Sequence, residues 1–250
     1  MDESIGKTFW EGSKHANQPE SDQQRGSSPQ PPLELPFDPE ADGTIKLADP
    51  HSLTLPNASL WQIIEDRRTL RHYTENPVTL DELTALLWYT QGVKRVTSRP
   101  LTLRTVPSAG ARHPFETYLL ANRVAGLPIG LYRYAAIEHS LLLVDGSADV
   151  SQRISKACYD QSQVPASAVT FVWAAESERT TWRYSERGYR YILLDAGHVC
   201  QNLYLAAEGL GCGVCAIASY DDDLFNAALG LDGKTRFVVY AASLGRRKLE

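Results

Sequence analysis

Three groups of residues have the types and spacing to do chemistry. Arg67-Arg68-Thr69-Leu70-Arg71 places three guanidiniums and a hydroxyl within five residues. Such a set can wrap a phosphate with charge-assisted, partly bidentate hydrogen bonds. Spacing alone leaves a second reading open, because cations also suit the C-terminal end of the helix expected just before, with Glu65 and Asp66 as partners. Gly245-Arg246-Arg247 follows the last expected strand, either as a solvated tail or as a second phosphate clamp. Between them lies RYSERGYRY, Arg183 to Tyr191, with three arginines, three tyrosines and a glutamate. A helix there would put Arg183, Arg187 and Arg190 on one side and Tyr184, Arg187 and Tyr191 on another. Gly188 weighs against one regular helix through the stretch.

Four other constellations have plainer readings. The small residues of Pro107-Ser108-Ala109-Gly110-Ala111 would let backbone approach a flat ligand and offer it N–H groups, although a simple loop has the same composition. Asp195 and His198 are three apart and can orient each other, but no Ser or Cys nucleophile is in sequence reach, which makes a structural histidine the better reading. Cys212-Gly213-Val214-Cys215 lacks the second ligand pair that a metal knuckle needs, and it leads into a strand, so the cysteines read as small buried residues and no metal is expected. Gly209-Leu210-Gly211-Cys212-Gly213 follows a helix and precedes a strand, the reverse of the dinucleotide fingerprint. Its glycines read as caps and turns.

The elements that must position these groups can be read from the pattern. The 250 residues suffice for a real core, and 43% are hydrophobic. A net charge of -5 gives no global field for nucleic acid or anionic lipid, so any anion site must be local. No run reaches membrane-span length, and four cysteines without a secretory signal point to the cytoplasm. Residues 1–44 are polar, with Ala16 the only aliphatic residue from Glu11 to Pro32. They should be mobile or draped over a domain spanning 45–250, with order starting near Ile45 or Leu53. Leu249-Glu250 reads as a cloning remnant. Helices are expected over 59–68, 79–92 (opened by a Thr79–Glu82 capping box), 150–159, 191–210 and 221–229. Strands are expected over 117–124, 131–134, 141–144, 168–175, 214–217 and 237–244. The absence of a steady βαβ rhythm argues for an α+β fold.

Taken in order, the RRTLR segment, "LLWYTQGV", "PSAGARHPFETYLL", "GLYRY", "RYSERGYRYILLDAGHVCQNLYLAAEGLGCGVCAI" and "VVYAASLGRR" resemble the nitroreductase superfamily. More narrowly, they are similar to its SagB/ThcOx-type dehydrogenases, from about Leu53 to Arg247. The resemblance implies a central, mainly antiparallel sheet flanked by helices, with FMN bound non-covalently at an intertwined homodimer interface. Arg67, Arg68, Thr69 and Arg71 match the phosphate- and ribityl-binding motif, and Arg246 and Arg247 match the basic pair closing on the phosphate. Pro107, Ser108, Ala109 and Gly110 match the loop beside the flavin. Ala218-Ser219 stands where many nitroreductases carry Glu-Gly near flavin N5.

The resemblance also implies oxidation of azoline rings in a ribosomal peptide to azoles, in concert with a cyclodehydratase. The family's Lys-Tyr catalytic pair here reads Arg183-Tyr184. Arginine cannot give up its proton to act as a base, but Arg183 can stabilise a tyrosinate at Tyr184 or hold an anionic substrate group. That replacement keeps an alternative open, an FMN-dependent NAD(P)H oxidoreductase acting on a quinone, a nitroaromatic or another small intermediate.

Overall fold

The computed structural model describes residues 4–248; Leu249-Glu250 lie outside them. Its centre is a seven-stranded sheet. In chain order the strands are β1 (Thr44–Lys46), β2 (Phe115–Ala121), β3 (Gly130–Ala135), β4 (Ser140–Asp145), β5 (Val169–Glu176), β6 (Cys212–Ile217) and β7 (Arg236–Arg246). They lie in the order β1-β4-β3-β2-β5-β7-β6, and every neighbouring pair is antiparallel. The expected α+β class with a mainly antiparallel sheet is what the chain forms.

The near-continuous apolar run of β5 has a simple cause: both faces of the sheet are covered. Phe171, Trp173 and Ala175 pack with α3 (Leu80–Gln91) and the long α6 (Arg187–Gly209). Val172 and Ala174 pack with α4 (Val150–Ala157) and α7 (Asp222–Ala228) on the other side. Further helices are α1 (Ile5–Gly12), α2 (Leu60–Asp66) and α5 (Glu178–Tyr184), beside single helical turns at Asp22–Arg25 and Gln163–Ala166.

Local signals explain the helix boundaries. Thr79 and Glu82 form both bonds of the expected capping box, at 3.2 Å and 2.8 Å. The long helix buries Ile192, Ala196, Val199, Leu203 and Ala207 at helical spacing, and Gly211 follows its end at φ 68°. It begins at Arg187, earlier than the apolar pattern indicates, and Leu194, expected in its core face, is 56% exposed. A separate short helix, α5, precedes it. The break between the two falls at Ser185, whose φ is 50°, and not at Gly188. Gly188 is inside α6 because a Cβ there would lie 3.0 Å from Thr181 of α5; the glycine lets the two helices touch.

Gly213 has a similar purpose, which corrects its reading as a turn residue. It pairs with Gly245 across β6 and β7. A Cβ on the first would meet Leu70 at 2.6 Å and one on the second Tyr73 at 2.6 Å, so the segment after the arginine cluster crosses the sheet where both strands lack side chains.

Residues 4–36 run over the body as an ordered strap. Ser21 caps the short turn Asp22–Arg25. Arg187, Trp182, Arg179 and Arg133 all hydrogen-bond to the strap. No helix among the described residues is long and apolar enough to cross a membrane.

Candidate active site

The loop Pro107–Ala111 is fixed by the long helix. The Ser108 hydroxyl donates to the Asp195 carboxylate at 2.5 Å, and the Ala109 N–H reaches the same carboxylate at 3.2 Å. Ser108 in turn accepts from the His113 N–H at 2.9 Å. Burial pushes the Asp195 carboxyl above its usual range, against the pull of the Ser108 and Ala109 hydrogen bonds. His198, paired with Asp195 on spacing, lies at the exposed surface, so Asp195 anchors the loop and His198 is not a buried structural residue.

The anchored loop carries Gly110 at φ 57° directly against the catalytic candidates. A side chain on Gly110 would collide with the Tyr184 hydroxyl and come within 3.2 Å of Arg183 Nε. Two expected site segments, Pro107–Ala111 and Arg183-Tyr184, therefore meet although they are far apart in sequence. The Arg183 guanidinium lies 5.5 Å from the Tyr184 ring centroid, and Tyr191 packs edge-on against Tyr184 at 4.9 Å. Arg112, absent from the sequence-level candidates, belongs to the same cluster. Its Nε donates to the Gly110 carbonyl at 3.2 Å, and its guanidinium faces Trp182 at 5.8 Å. Burial lowers its pKa, with the charge of Arg183 adding to the effect.

The second cluster sits toward the other end of α6. Thr69 bridges Val214 beside the edge strand β6, and its hydroxyl lies 3.2 Å from the Tyr204 hydroxyl. Arg67 stacks over the Tyr204 ring at 5.2 Å. Arg68, Thr69 and Arg71 face solvent. Tyr204 and Asp195 are nine residues apart on α6, about 13 Å along its axis at ~1.5 Å per residue. One chain therefore holds the two clusters apart.

Arg246 and Arg247 are committed to carboxylates. Arg246 pairs with Glu82 at 2.6 Å and also donates to the Leu210 carbonyl at 2.9 Å; Arg247 pairs with Glu208. Ala218 and Ser219 form the exposed link after β6, and the Ser219 carbonyl accepts from Gln161 at 2.7 Å. All four cysteines are buried free thiols, with Cys212 and Cys215 inside β6.

A sequence model of the Nitroreductase family matches residues 64–246. The nitroreductase-like protein MJ1384 of Methanocaldococcus jannaschii is 33% identical over 180 residues, covering 71% of this chain and 88% of that protein. The trifolitoxin-processing protein TfxB of Rhizobium leguminosarum bv. trifolii is 30% identical over 165 residues; the match takes in 63% of this chain but only 44% of TfxB. Among solved structures, a chain of the Escherichia coli microcin synthetase McbBCD complex, with truncated pro-MccB17 bound, superposes with a TM-score of 0.62 over 98% of this chain and 92% of that one, at 20% identity. Matched by the family model over most of its length and by a relative at one-third identity, this chain belongs to the nitroreductase family.

Proposed function

We propose that the protein is an FMN-dependent dehydrogenase of the SagB type that oxidises azoline rings of a peptide to azoles. The observation that carries this is the junction of Gly110, Arg183 and Tyr184, where a backbone stripped of side chains meets a tyrosine hydroxyl and a guanidinium. Resemblance to TfxB, a trifolitoxin-processing protein, supports the peptide substrate.

The donor set suits FMN. Arg67, Arg68, Thr69 and Arg71 present guanidiniums and a hydroxyl beside a sheet edge, as a dianionic phosphate requires. The loop Pro107–Gly110 offers small residues and free approach to a flat ring system. When bound, the flavin supplies the two-electron oxidising power for aromatisation. Tyr184, as the tyrosinate, takes up the ring proton and becomes the neutral phenol. Arg183 cannot take that proton, and its charge stabilises the tyrosinate beforehand. Asp195 keeps Gly110 in register with Tyr184 through Ser108 and Ala109.

A homodimer accounts for the separation of the two clusters, since each could be completed by its counterpart on the other subunit. The exposed apolar side chains suit such an interface: Leu193 and Leu194 on α6, and Leu60, Trp61 and Ile64 on α2. A cyclodehydratase is the matching upstream enzyme, and the cytoplasm, which keeps thiols reduced, is the matching compartment.

Arg183 in place of lysine favours a second reading, in which the same flavin site reduces a small molecule with electrons from NAD(P)H. One experiment addresses both. The purified protein should be yellow and release FMN on heating, and Arg67→Ala/Arg71→Ala should lose the colour without unfolding. Flavin that persists in that variant contradicts the proposed phosphate site, and a colourless wild type contradicts both readings.

A further inference from the structure

Two guanidiniums beside Tyr184 lack the partners that the molecule gives its other buried charges. Arg183 makes no hydrogen bond and no ion pair among the described residues, and its guanidinium faces the Tyr184 ring. Arg112 is only 6% exposed. Its Nε donates to the Gly110 carbonyl, but its two terminal nitrogens have no hydrogen-bond partner among the described residues. Neither of those nitrogens is fully shut off from solvent. Gly110 links the pair: its carbonyl holds Arg112, and a Cβ on it would come within 3.2 Å of Arg183 Nε.

The charges acting on Arg112 are those of Arg183 and Arg99, which repel it, and the phenol of Tyr184; no carboxylate is among them. The comparably buried Arg133 and Arg179 both have Glu116. A cavity of about 340 Å³ opens on Arg183 and Tyr184. No acidic residue lines it, and the strap's share of the wall is glutamines, a serine, a proline and His15. A cation taken out of water without a counterion is costly, and two side by side repel as well. The tyrosinate form of Tyr184 offsets one of the two charges. The other is left without an anion.

We propose that Arg112 and Arg183 form an anion subsite that takes a carboxylate of the substrate, close to the ring being oxidised. This rests on the peptide reading of the function and deepens it. The substrate is an azoline peptide with a carboxylate near the ring, carried by an acidic side chain or by its own C-terminus. The planar fork of arginine grips a carboxylate through two parallel N–H···O bonds, a geometry that lysine does not offer.

The test is calorimetric titration of the flavin-loaded protein with thiazole pentapeptides, the product form, so that nothing turns over. One probe has Asp beside the thiazole and an amidated C-terminus. The second has Asn and the amide, and the third has Asn and a free C-terminal carboxylate. At least one of the two charged probes should bind the wild type at least about ten-fold more tightly than the neutral one, and which of them does so identifies the source of the carboxylate. The preference should vanish in Arg112→Gln and in Arg183→Gln, return in part in Arg112→Lys, and shrink as salt is raised. Arg183, half-buried on the cavity wall, keeps the test available should Arg112→Gln fail to fold. Equal binding of all three probes by the wild type overturns the proposal, as does a preference that survives both Gln variants. Loss of flavin from Arg112→Gln also overturns it, because the pair would then belong to the cofactor phosphate. N-acetyl-aspartate against N-acetyl-asparagine, followed by saturation-transfer NMR, repeats the comparison without a ring. Arg112-dependent preference for the charged one, in a protein that aromatises no azoline, supports the subsite and removes the azoline reading. Azoline oxidation with no preference for charge does the reverse.

Discussion

Two groups of arginines in this protein contrast. Arg133 and Arg179 share Glu116, Arg246 holds Glu82 and Arg247 holds Glu208. Around Tyr184, by contrast, Arg112, Arg183, Arg187 and Arg190 face carbonyls, two hydroxyls and aromatic rings, and among the described residues none is in an ion pair. A guanidinium neutralised by a carboxylate fixes the fold. One satisfied by neutral oxygens keeps its full charge and can exchange partners. The second group marks where ligand chemistry belongs, and it coincides with the junction of Gly110 and Tyr184.

Substitutions on the two sides should separate accordingly. Tyr184→Phe should lower the turnover of an azoline peptide by about 10²- to 10⁴-fold, the range for a lost general base, with flavin content and melting temperature unchanged. An equal loss of flavin would return Tyr184 to the structural side. Glu116→Gln should act in the opposite sense, costing about 3–5 kcal/mol of stability, because it strands two buried guanidiniums; urea denaturation measures it. Burial alone would raise the Glu116 carboxyl, but Arg179 and Arg133 outweigh it and hold the group below the usual value of 4.5. Its contribution is therefore complete above that pH and disappears as the pH falls through the lower folded value.

Asp195→Ala falls between the two classes. Losing the Ser108 and Ala109 bonds should cost about 1.5–3 kcal/mol of stability, and should also reduce turnover by freeing the loop that faces Tyr184. Stability loss with unchanged turnover would break that link. At neutral pH the smallest effect belongs to His113, which burial, then Arg104 and Arg112, hold uncharged down to about pH 3. Its folded pKa is below the unfolded 6.5, so acid favours the unfolded chain. Between those values stability should fall by about 1.4 kcal/mol per pH unit from this group, and His113→Gln should flatten that slope.

What could be read from the sequence was mostly local. The Thr79–Glu82 box depends on residues three apart, and the strands announce themselves by apolar runs, so both are visible in one dimension. The recognisable motifs named Tyr184 and the Gly110 loop as site residues, and the structure brings them into contact. The bond between Ser108 and Asp195 spans 87 residues and has no periodic signature. The start of α6 was obscured because Gly188 looks like a helix breaker until Thr181 of α5 is seen against it. Leu194 was misassigned because an amphipathic pattern cannot tell a core face from an exposed apolar one. The strap's polar composition left open whether it is mobile or draped, since partners such as Arg179 and Arg187 are more than 140 residues away.

The central claim is that a peptide azoline, with Tyr184 as base, is the electron donor at this site. The direct measurement is anaerobic mixing of the FMN-loaded protein with an azoline-containing peptide, followed by flavin absorbance and by mass. The account predicts that the flavin bleaches and one ring per flavin loses two mass units, with Tyr184→Phe slower by at least about 10². Bleaching by NAD(P)H alone, with the peptide left unchanged, would contradict it.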